Sequence, residues 1–531
     1  MDHHLRSRGP AGGKNGLTMI IWAMAIVAAF GAWVGWANPV YQEPFFALLF
    51  PAGLAWLAIT AASSRQALKR GFLTALLAYS GCLYWVFVPV HRYGNIPMVL
   101  ALPCPVLLAM YLAVYPAVFC GMLHWAKSKL SPLALGLFAG LLWGSLELAV
   151  GVVFTGFPWL PLAAAMAARP FAIQAAALIG GTGLATLLVT ATTWFVLPGR
   201  RLPITLPRIL AILLVAGWAV IGMARLDDPL PQGRWARVGI VQGNIDQSLK
   251  WDPGYQTDTV SRYIDLSEKL VRQNPVDLLV WPETALPFFL QELTREGARV
   301  RNLARTQEIL LLTGSPAYEF DLANNRYIMY NRTFLLGPQG GTMGEYDKMH
   351  LVPFGEYVPL GGILPLTKLV QAVGDFREGT DGQPLAGGNL ALGVLICYET
   401  IFPALAQERV TKGASVLVNM SNDAWFGQTS APRQHLQLAA LRAVEQGRYM
   451  IRSTNTGISA IIDPRGRIVQ ETELFKTASL SGNISAIYET TVYHDLAWLL
   501  QNVIIGLTLL MVIWAILRAR QAQTPTVTRN T

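Results

Sequence analysis

Apolar residues are spread along this chain in two different ways. Up to about residue 228, and again from 495, they form runs of roughly twenty residues, the length at which a helix crosses a bilayer. Residues 17–37, 45–62, 71–89, 97–125, 133–157, 173–197, 209–223 and 496–517 predict eight such spans. Between 229 and 494 the pattern changes. Residues 236–241, 278–281, 309–313, 332–336, 391–396, 416–419 and 458–462 read as strands, several continuously apolar, as in a sheet covered on both faces. Residues 255–274, 291–306 and 434–448 carry helical spacing, and Asp463-Pro464-Arg465-Gly466 is a turn. The expected architecture is an α-helical transmembrane bundle plus an α/β layered domain of about 265 residues, large enough for its own core. In chain order this gives an N-terminal tail (1–16), seven spans (17–228), the α/β domain (229–494), an eighth span (495–517) and a C-terminal tail (518–531).

Composition agrees with a membrane protein. Only 14% of the residues are charged, against about 25% in soluble domains. The first apolar run exceeds the roughly 7–15 residues of a signal-peptide core, so it reads as a retained anchor. The net charge of +9 follows the membrane pattern. Arg6, Arg8 and Lys14 precede the first span, and Arg65, Lys69 and Arg70 lie between the second and third. Lys127 and Lys129 follow the fourth, Arg200, Arg201 and Arg208 the sixth, and Arg518 and Arg520 the last, while the alternate connections 38–44 and 158–170 are nearly bare. The positive-inside rule then puts both termini in the cytoplasm and residues 229–494 across the membrane. No basic patch is interleaved with exposed aromatic residues, so no nucleic-acid partner is expected.

Candidate chemistry sits at strand ends. Cys82, Cys104 and Cys120 fall within spans, which leaves Cys397 alone in the α/β domain, at the end of Val394-Leu395-Ile396-Cys397-Tyr398-Glu399. A lone cysteine on a strand is usually packing, but a solitary extracytoplasmic thiol is unusual and a thiolate is a strong nucleophile. Trp281-Pro282-Glu283 ends another apolar run in a carboxylate, and Asp347-Lys348 supplies an ammonium. A carboxylate to take the thiol proton, a cation to hold an oxyanion and a thiolate to attack a carbonyl make a coherent acyl-transfer set. Glu147 lies inside a span, where an ionisable group is expensive; a helix-to-helix hydrogen bond and a substrate contact both fit. Phe154-Thr155-Gly156-Phe157-Pro158-Trp159 reads as an interfacial anchor. Gly180-Gly181-Thr182-Gly183 reads as close helix packing, because no strand precedes it as a nucleotide loop would require. No phosphate-binding glycine loop and no histidine cluster of metal-ligand spacing stands in the α/β domain, so neither cofactor nor metal is expected.

In these contexts and this order, Glu283, Lys348 and Cys397 resemble the triad of the nitrilase (carbon–nitrogen hydrolase) superfamily, and Asn422-Asp423-Ala424-Trp425-Phe426 resembles its segment after the nucleophile. The order of spans and domain, with residues 154–159, 241–244, 350–357 and 396–399, is similar to one membrane-bound branch, the apolipoprotein N-acyltransferases. That resemblance implies an αββα sandwich on a helical bundle in the bacterial inner membrane, with the catalytic domain periplasmic. It implies attack of Cys397 on the sn-1 ester of a phospholipid, typically phosphatidylethanolamine, to form a thioester. The amine of an N-terminal diacylglyceryl-cysteine on an apolipoprotein then takes the acyl chain. Glu283 would be general acid and base, and Lys348 the oxyanion donor, with the Tyr398 N–H as a second. Glu356 and Glu399 match further acidic positions: one orients Lys348 or holds the amine, and Glu399 alternatively forms an ion pair that stiffens its loop. Asn331 and Glu445 take supporting roles, while Trp251, Tyr398, Trp425, Phe426 and Glu147 are candidate substrate contacts. Loops 360–366 and 423–428 are expected as covers that exclude water from the thioester. Two other readings stay open: a membrane-tethered amidase for a small substrate, which one anchor would serve, and a catalytically dead transporter or scaffold.

Overall fold

A computed structural model of the chain describes residues 12–36, 38, 42–197, 205–231, 233–357 and 376–521. Nine helices precede the α/β domain among the described residues: α1 (Gly12–Gly35), α2 (Leu49–Ile59), α3 (Ser64–Cys82), α4 (Met98–Ala101), α5 (Pro103–Ala126), α6 (Pro132–Val150), α7 (Leu162–Met166), α8 (Ala176–Val196) and α9 (Leu206–Asp227). The expectation of eight spans is corrected here. Among the described residues six helices are long and apolar enough to cross a membrane, and there is a seventh such span only if Ser64–Cys82 and Tyr84–Tyr93, bent by 56°, count as one. The run at 45–62 is a shorter apolar helix, Pro44–Ile59. Its 16 residues would reach about 24 Å, short of a ~30 Å hydrocarbon core. The chain turns there because Ser63 starts the next helix, its side chain accepting from Gln66 N–H at 3.2 Å. The run at 209–223 is longer than expected. Pro207 sits in the first turn of α9, where the missing N–H costs no helical bond.

After residue 234, twelve strands pair into two six-stranded sheets. They are β1 (Trp235–Gln242), β2 (Leu278–Val280), β3 (Leu310–Asp321), β4 (Arg326–Leu336), β5 (Thr342–Asp347), β6 (Leu385–Gly387), β7 (Leu390–Ile396), β8 (Val416–Ser421), β9 (Met450–Thr454), β10 (Ala460–Ile462), β11 (Ile468–Glu471) and β12 (Ala478–Ser485). The orders are β12-β1-β2-β3-β4-β5 and β11-β10-β9-β8-β7-β6. In each sheet three central strands run parallel, β1-β2-β3 and β7-β8-β9, with antiparallel strands outside them. Val238, Ile240, Val280 and Leu312 of one sheet meet Leu392, Val394, Val418 and Ile451 of the other in a single buried layer. Helices α10 (Gln256–Gln273) and α11 (Arg295–Thr306) cover the first sheet, while α12 (Pro403–Thr411) and α13 (Ala431–Gln446) cover the second, giving an αββα sandwich. A final helix, α14 (Val492–Gln521), packs against α6 and α8.

The sandwich and the bundle share one core. Leu395, Leu417, Leu436 and Leu441 belong to the same buried cluster as Leu54, Phe119 and Leu188 of the bundle. Helix α13 lies between them and is buried nearly all round. Its Gln434 is satisfied wholly by the bundle: Nε2 donates to Trp36 O (2.9 Å) and Cys82 O (3.1 Å), and Oε1 accepts from Trp85 Nε1 (3.1 Å) and Trp159 Nε1 (2.8 Å).

Candidate active site

The carboxyl ends of parallel strands from both sheets converge, the usual place for reactive groups in α/β layers. Glu283 follows β2, Cys397 follows β7, and Asn422 and Asp423 follow β8. Glu283 is only 7% exposed. Its Oε1 accepts from Asn331 Nδ2 (2.8 Å) and its Oε2 from the Asn422 N–H (2.9 Å). Lys348, just past β5, is buried with its Nζ 3.6 Å from Glu283 Oε1 and 2.9–3.0 Å from both oxygens of Glu356. Asn331 Nδ2 also donates to Glu356 Oε1 (3.1 Å), so one amide ties both carboxylates to one position. Glu356 completes its own bonding by accepting from Val352 N–H at 2.8 Å. Of the two acidic positions beside the triad, Glu356 is therefore the one that orients Lys348.

Electrostatics divide the labour. Burial pulls the Lys348 ammonium down, but Glu356, Glu283 and Cys397 together outweigh it and hold its pKa above the ordinary lysine value. Burial pushes the Cys397 thiol up and Glu283 adds to this, while Lys348 pulls the other way without reversing it. Glu283 is the carboxylate whose charge acts most strongly on the Cys397 thiol.

Cys397 itself is held in the left-handed region at φ +51°, at the start of the short 3-10 turn Cys397–Ile401. Two networks fix that turn. On one side Glu399, fully buried, accepts at Oε2 from Ile396 N–H (2.6 Å) and at Oε1 from Tyr346 Oη (2.7 Å), Met349 N–H (2.7 Å) and His350 N–H (3.1 Å). It thus clips the Cys397 turn to the loop that carries Lys348. Among the described residues Arg409 makes no direct ion-pair contact with Glu399; its guanidinium donates to Tyr346 Oη at 2.6 Å, and its charge opposes the effect of burial on the Glu399 carboxyl. On the other side His435 Nε2 lies 3.1 Å from the Cys397 carbonyl oxygen. That oxygen can only accept, so Nε2 carries the proton; Nδ1 lies 3.2 Å from both Arg452 Nη2 and Asp423 Oδ1, and in a neutral ring it accepts from the arginine. Burial and the Arg452 charge lower the His435 pKa, consistent with this neutral ring. Arg452 in turn holds Asp423 Oδ2 at 2.5 Å, and Ser421 Oγ donates to Asp423 Oδ1 at 2.6 Å.

Of this second network the sequence expectations include only the segment that carries Asp423; His435, Arg452 and Lys250 are absent from them. Lys250 is 2% exposed and donates to Thr284 Oγ1 at 2.9 Å, beside Glu283. Burial pulls it down to about 8, with Glu283 opposing. The remaining expected residues fall outside the triad's immediate contacts. Tyr398 Oη donates to Gly156 O (2.9 Å) and its ring lies 6.2 Å from Phe157, so it docks the sandwich on the bundle. Trp425 meets Tyr93 (5.0 Å), and Phe426 meets Trp85 (4.9 Å) and Trp159 (5.6 Å). Residues 154–159 are thus more than an interfacial anchor. Trp251 is half-buried, its Nε1 buried without a partner among the described residues. Glu445 does not support the triad: Gly181 N–H donates to its Oε1 at 2.8 Å and Arg442 Nε lies 2.9 Å from its Oε2. The Gly180 break (φ +72°) frees that N–H from α8, and a Cβ at Gly180 would run into the Tyr493 ring at 2.3 Å. The glycine run therefore does serve packing, and a kink as well. Glu147 accepts at Oε1 from Trp143 Nε1 and Leu162 N–H, both at 2.9 Å. Loop 360–366 lies outside the described residues.

Residues 237–489 match the carbon-nitrogen hydrolase family, and residues 28–194 match the apolipoprotein N-acyltransferase N-terminal domain. The chain is 39% identical over 464 residues to the apolipoprotein N-acyltransferase of Geobacter metallireducens, covering 84% of this chain and 88% of the relative. It is 36% identical over 498 residues to that of Azotobacter vinelandii, covering 91% and 93%. Among solved structures, Saccharomyces cerevisiae Nit3, a member of branch 10 of the nitrilase superfamily, aligns with a TM-score of 0.38 and 20% identity over 57% of this chain and 98% of that one.

Proposed function

The chain belongs to the apolipoprotein N-acyltransferase family, and from that premise we propose that Cys397 carries an acyl group from a phospholipid to a lipoprotein amine. The observation that carries this reading is the joint placement of Glu283 and Lys348, locked by Asn331 and Glu356, at the strand ends that face the Cys397 turn. Glu283 takes the thiol proton and the thiolate attacks the sn-1 ester carbonyl of a phospholipid such as phosphatidylethanolamine. The oxyanion is met by the Lys348 ammonium and the Tyr398 N–H, which lies in the first turn of a helix and so lacks an intrahelical acceptor. Collapse expels the glycerol alkoxide, which regains the proton from Glu283 and leaves as lysophospholipid. The thioester remains on Cys397. The amine of a diacylglyceryl-cysteine at an apolipoprotein N-terminus then attacks, gives a proton to Glu283, and expels the thiolate, which takes that proton back. A thioester is reactive enough to acylate an amine, so the cycle needs no nucleotide. Trp251 Nε1 is a free buried donor for a substrate oxygen, and Trp425 and Phe426 line the way to the bundle.

The same reading places the protein in the inner membrane of a bacterium, both termini cytoplasmic and the sandwich periplasmic. A reporter fused near Arg234 that is active only in the cytoplasm would contradict that orientation. For the chemistry, purified enzyme is given labelled phosphatidylethanolamine and a synthetic diacylglyceryl-cysteine peptide. Transfer to the peptide amine with release of lysophospholipid is expected, and Cys397→Ser should lose both while staying folded. Retained transfer in Cys397→Ser would defeat the reading of Cys397 as the acyl carrier, and hydrolysis of a small amide without phospholipid would favour the tethered amidase.

A further inference from the structure

Glu147 is a carboxyl group with half of its bonding left open. Its Oε1 accepts from Trp143 Nε1 and Leu162 N–H, while its Oε2 is buried with no partner among the described residues. The group borders a cavity of about 60 Å³ whose walls include the rings of Tyr79, Tyr115, Phe119, Trp143 and Phe157. A carboxylate left in such a place without a positive partner is costly. Aromatic faces are poor partners for an anion and good ones for a cation, and a carboxylate ringed by them is the chemistry that recognises ammonium groups.

Size and position narrow the ligand. One water needs roughly 10–15 Å³ by this measure, so the cavity takes a group of a few heavy atoms and not an acyl chain. Glu147 stands three residues before the last residue of α6, about 4.5 Å along the axis. The chain beyond that end meets the sandwich, through Gly156 O bonded to Tyr398 Oη. Glu147 and Phe157 thus border the cavity on its side toward the sandwich, while Trp143 carries it one helical turn further into the bundle. Phe157 forms its wall toward the catalytic turn, with its ring 6.2 Å from that of Tyr398, the neighbour of the nucleophile.

We propose that this cavity is a headgroup subsite, in which Glu147 and the surrounding rings take the primary ammonium of an aminophospholipid while its sn-1 ester is presented to Cys397. The assignment rests on the acyl-donor reading above and adds to it the residue that selects the headgroup. The acceptor amine is the other source of a primary ammonium, but it has to reach the thioester itself and not a cavity on the far side of Phe157.

The test is acyl-enzyme formation on the full-length protein without acceptor, using vesicles of dioleoyl phosphatidylethanolamine or dioleoyl phosphatidylglycerol. Wild type should load faster from the ethanolamine lipid, by about tenfold, the size of one charge-assisted contact. Glu147→Gln keeps the Oε1 acceptor and replaces Oε2 by a donor, so the ratio should fall to near one. Tyr115→Leu, which removes one ring and leaves the carboxyl group, should lower the ratio part of the way. Equal slowing with both lipids, an unchanged ratio in both variants, or an effect seen only in transfer to an amine peptide would overturn the subsite. If Cys397 takes no acyl group from any phospholipid, the donor reading itself falls and the subsite with it.

Discussion

At φ +51°, Cys397 is a non-glycine residue in a conformation that costs about 1–3 kcal/mol and persists only when its surroundings over-determine it. Glu399 is the chief restraint. Glu399→Ala leaves three backbone N–H groups and the Tyr346 hydroxyl without their acceptor, at roughly 1–3 kcal/mol for each buried donor. Stability should fall by more than about 4 kcal/mol, read from the chemical denaturation midpoint in detergent, and acyl loading should fall with it. A variant that lost loading at wild-type stability would instead make Glu399 a reacting group. Lys250 gives a pH signature of the opposite kind. Its folded pKa, about 8, lies below the ordinary 10.5. Between those values the unfolded chain binds more protons, so stability rises with pH through that window. Burying the charge therefore costs up to about 3 kcal/mol below pH 8, and the cost fades by pH 10.5. Lys250→Met should melt higher than wild type at pH 7, with the gap largely closed at pH 10.5; a gap independent of pH would mean that packing, not charge, is responsible. Of these groups, Cys397 and Glu283 stood out because each stands where an apolar strand breaks into polar residues, while Lys348, which follows the polar β5, stood out through its resemblance to the family motif. Lys250 did not, since Ser248-Leu249-Lys250-Trp251 reads as ordinary loop and only the fold brings it under Thr284.

Helix α13 forms at Ala431–Gln446, where the spacing of residues 434–448 predicts it, whereas strand β9 was missed. Helix α13 touches a sheet on one side and membrane helices on the other, so its buried positions include Gln434, His435, Arg442 and Glu445, and no polar face marks its register. Strand β9 carries Arg452 in Met450-Ile451-Arg452-Ser453-Thr454, where a charge argues against a central strand until its buried partner Asp423 is known. Strands β5, β6, β11 and β12 were missed as short or polar segments at or near the sheet margins. Arg452→Met leaves Asp423 charged and unpaired in the interior, which costs about 3–5 kcal/mol. It also removes the donor at His435 Nδ1, whose ring holds the Cys397 carbonyl, so acyl loading should slow in the protein that remains folded; unaltered loading rates would detach this network from Cys397. The Asp423–Phe426 turn ends the same network against the bundle, through Trp425 on Tyr93 and Phe426 on Trp85. Trp425→Ala should slow acyl transfer more than it lowers the melting temperature, and equal loss of both would reduce the contact to packing.

For the whole molecule, the order of apolar runs announced a bundle and an α/β sandwich, and both formed. What the runs could not convey was the continuity between them. A hydrophobic count treats residues 45–62 as a span, although the helix there is only 16 residues long. It also gives no sign that Gln434 would be held by four groups of the bundle, because such contacts join positions hundreds of residues apart. Since sandwich and bundle share one buried cluster, residues 229–494 alone expose the surface of α13 and lose the Tyr398–Gly156 bond. The excised sandwich should fail to acquire an acyl group from micellar phospholipid, and full loading would show that the bundle only tethers it. The account as a whole turns on Cys397. Its most direct test is to incubate the intact enzyme with phospholipid and no acceptor, then measure the mass of the peptide carrying Cys397. A gain of one acyl chain, removed by neutral hydroxylamine and absent in Cys397→Ser, is the predicted result. An unmodified Cys397 peptide, or an acyl group resistant to hydroxylamine or carried elsewhere, would contradict it.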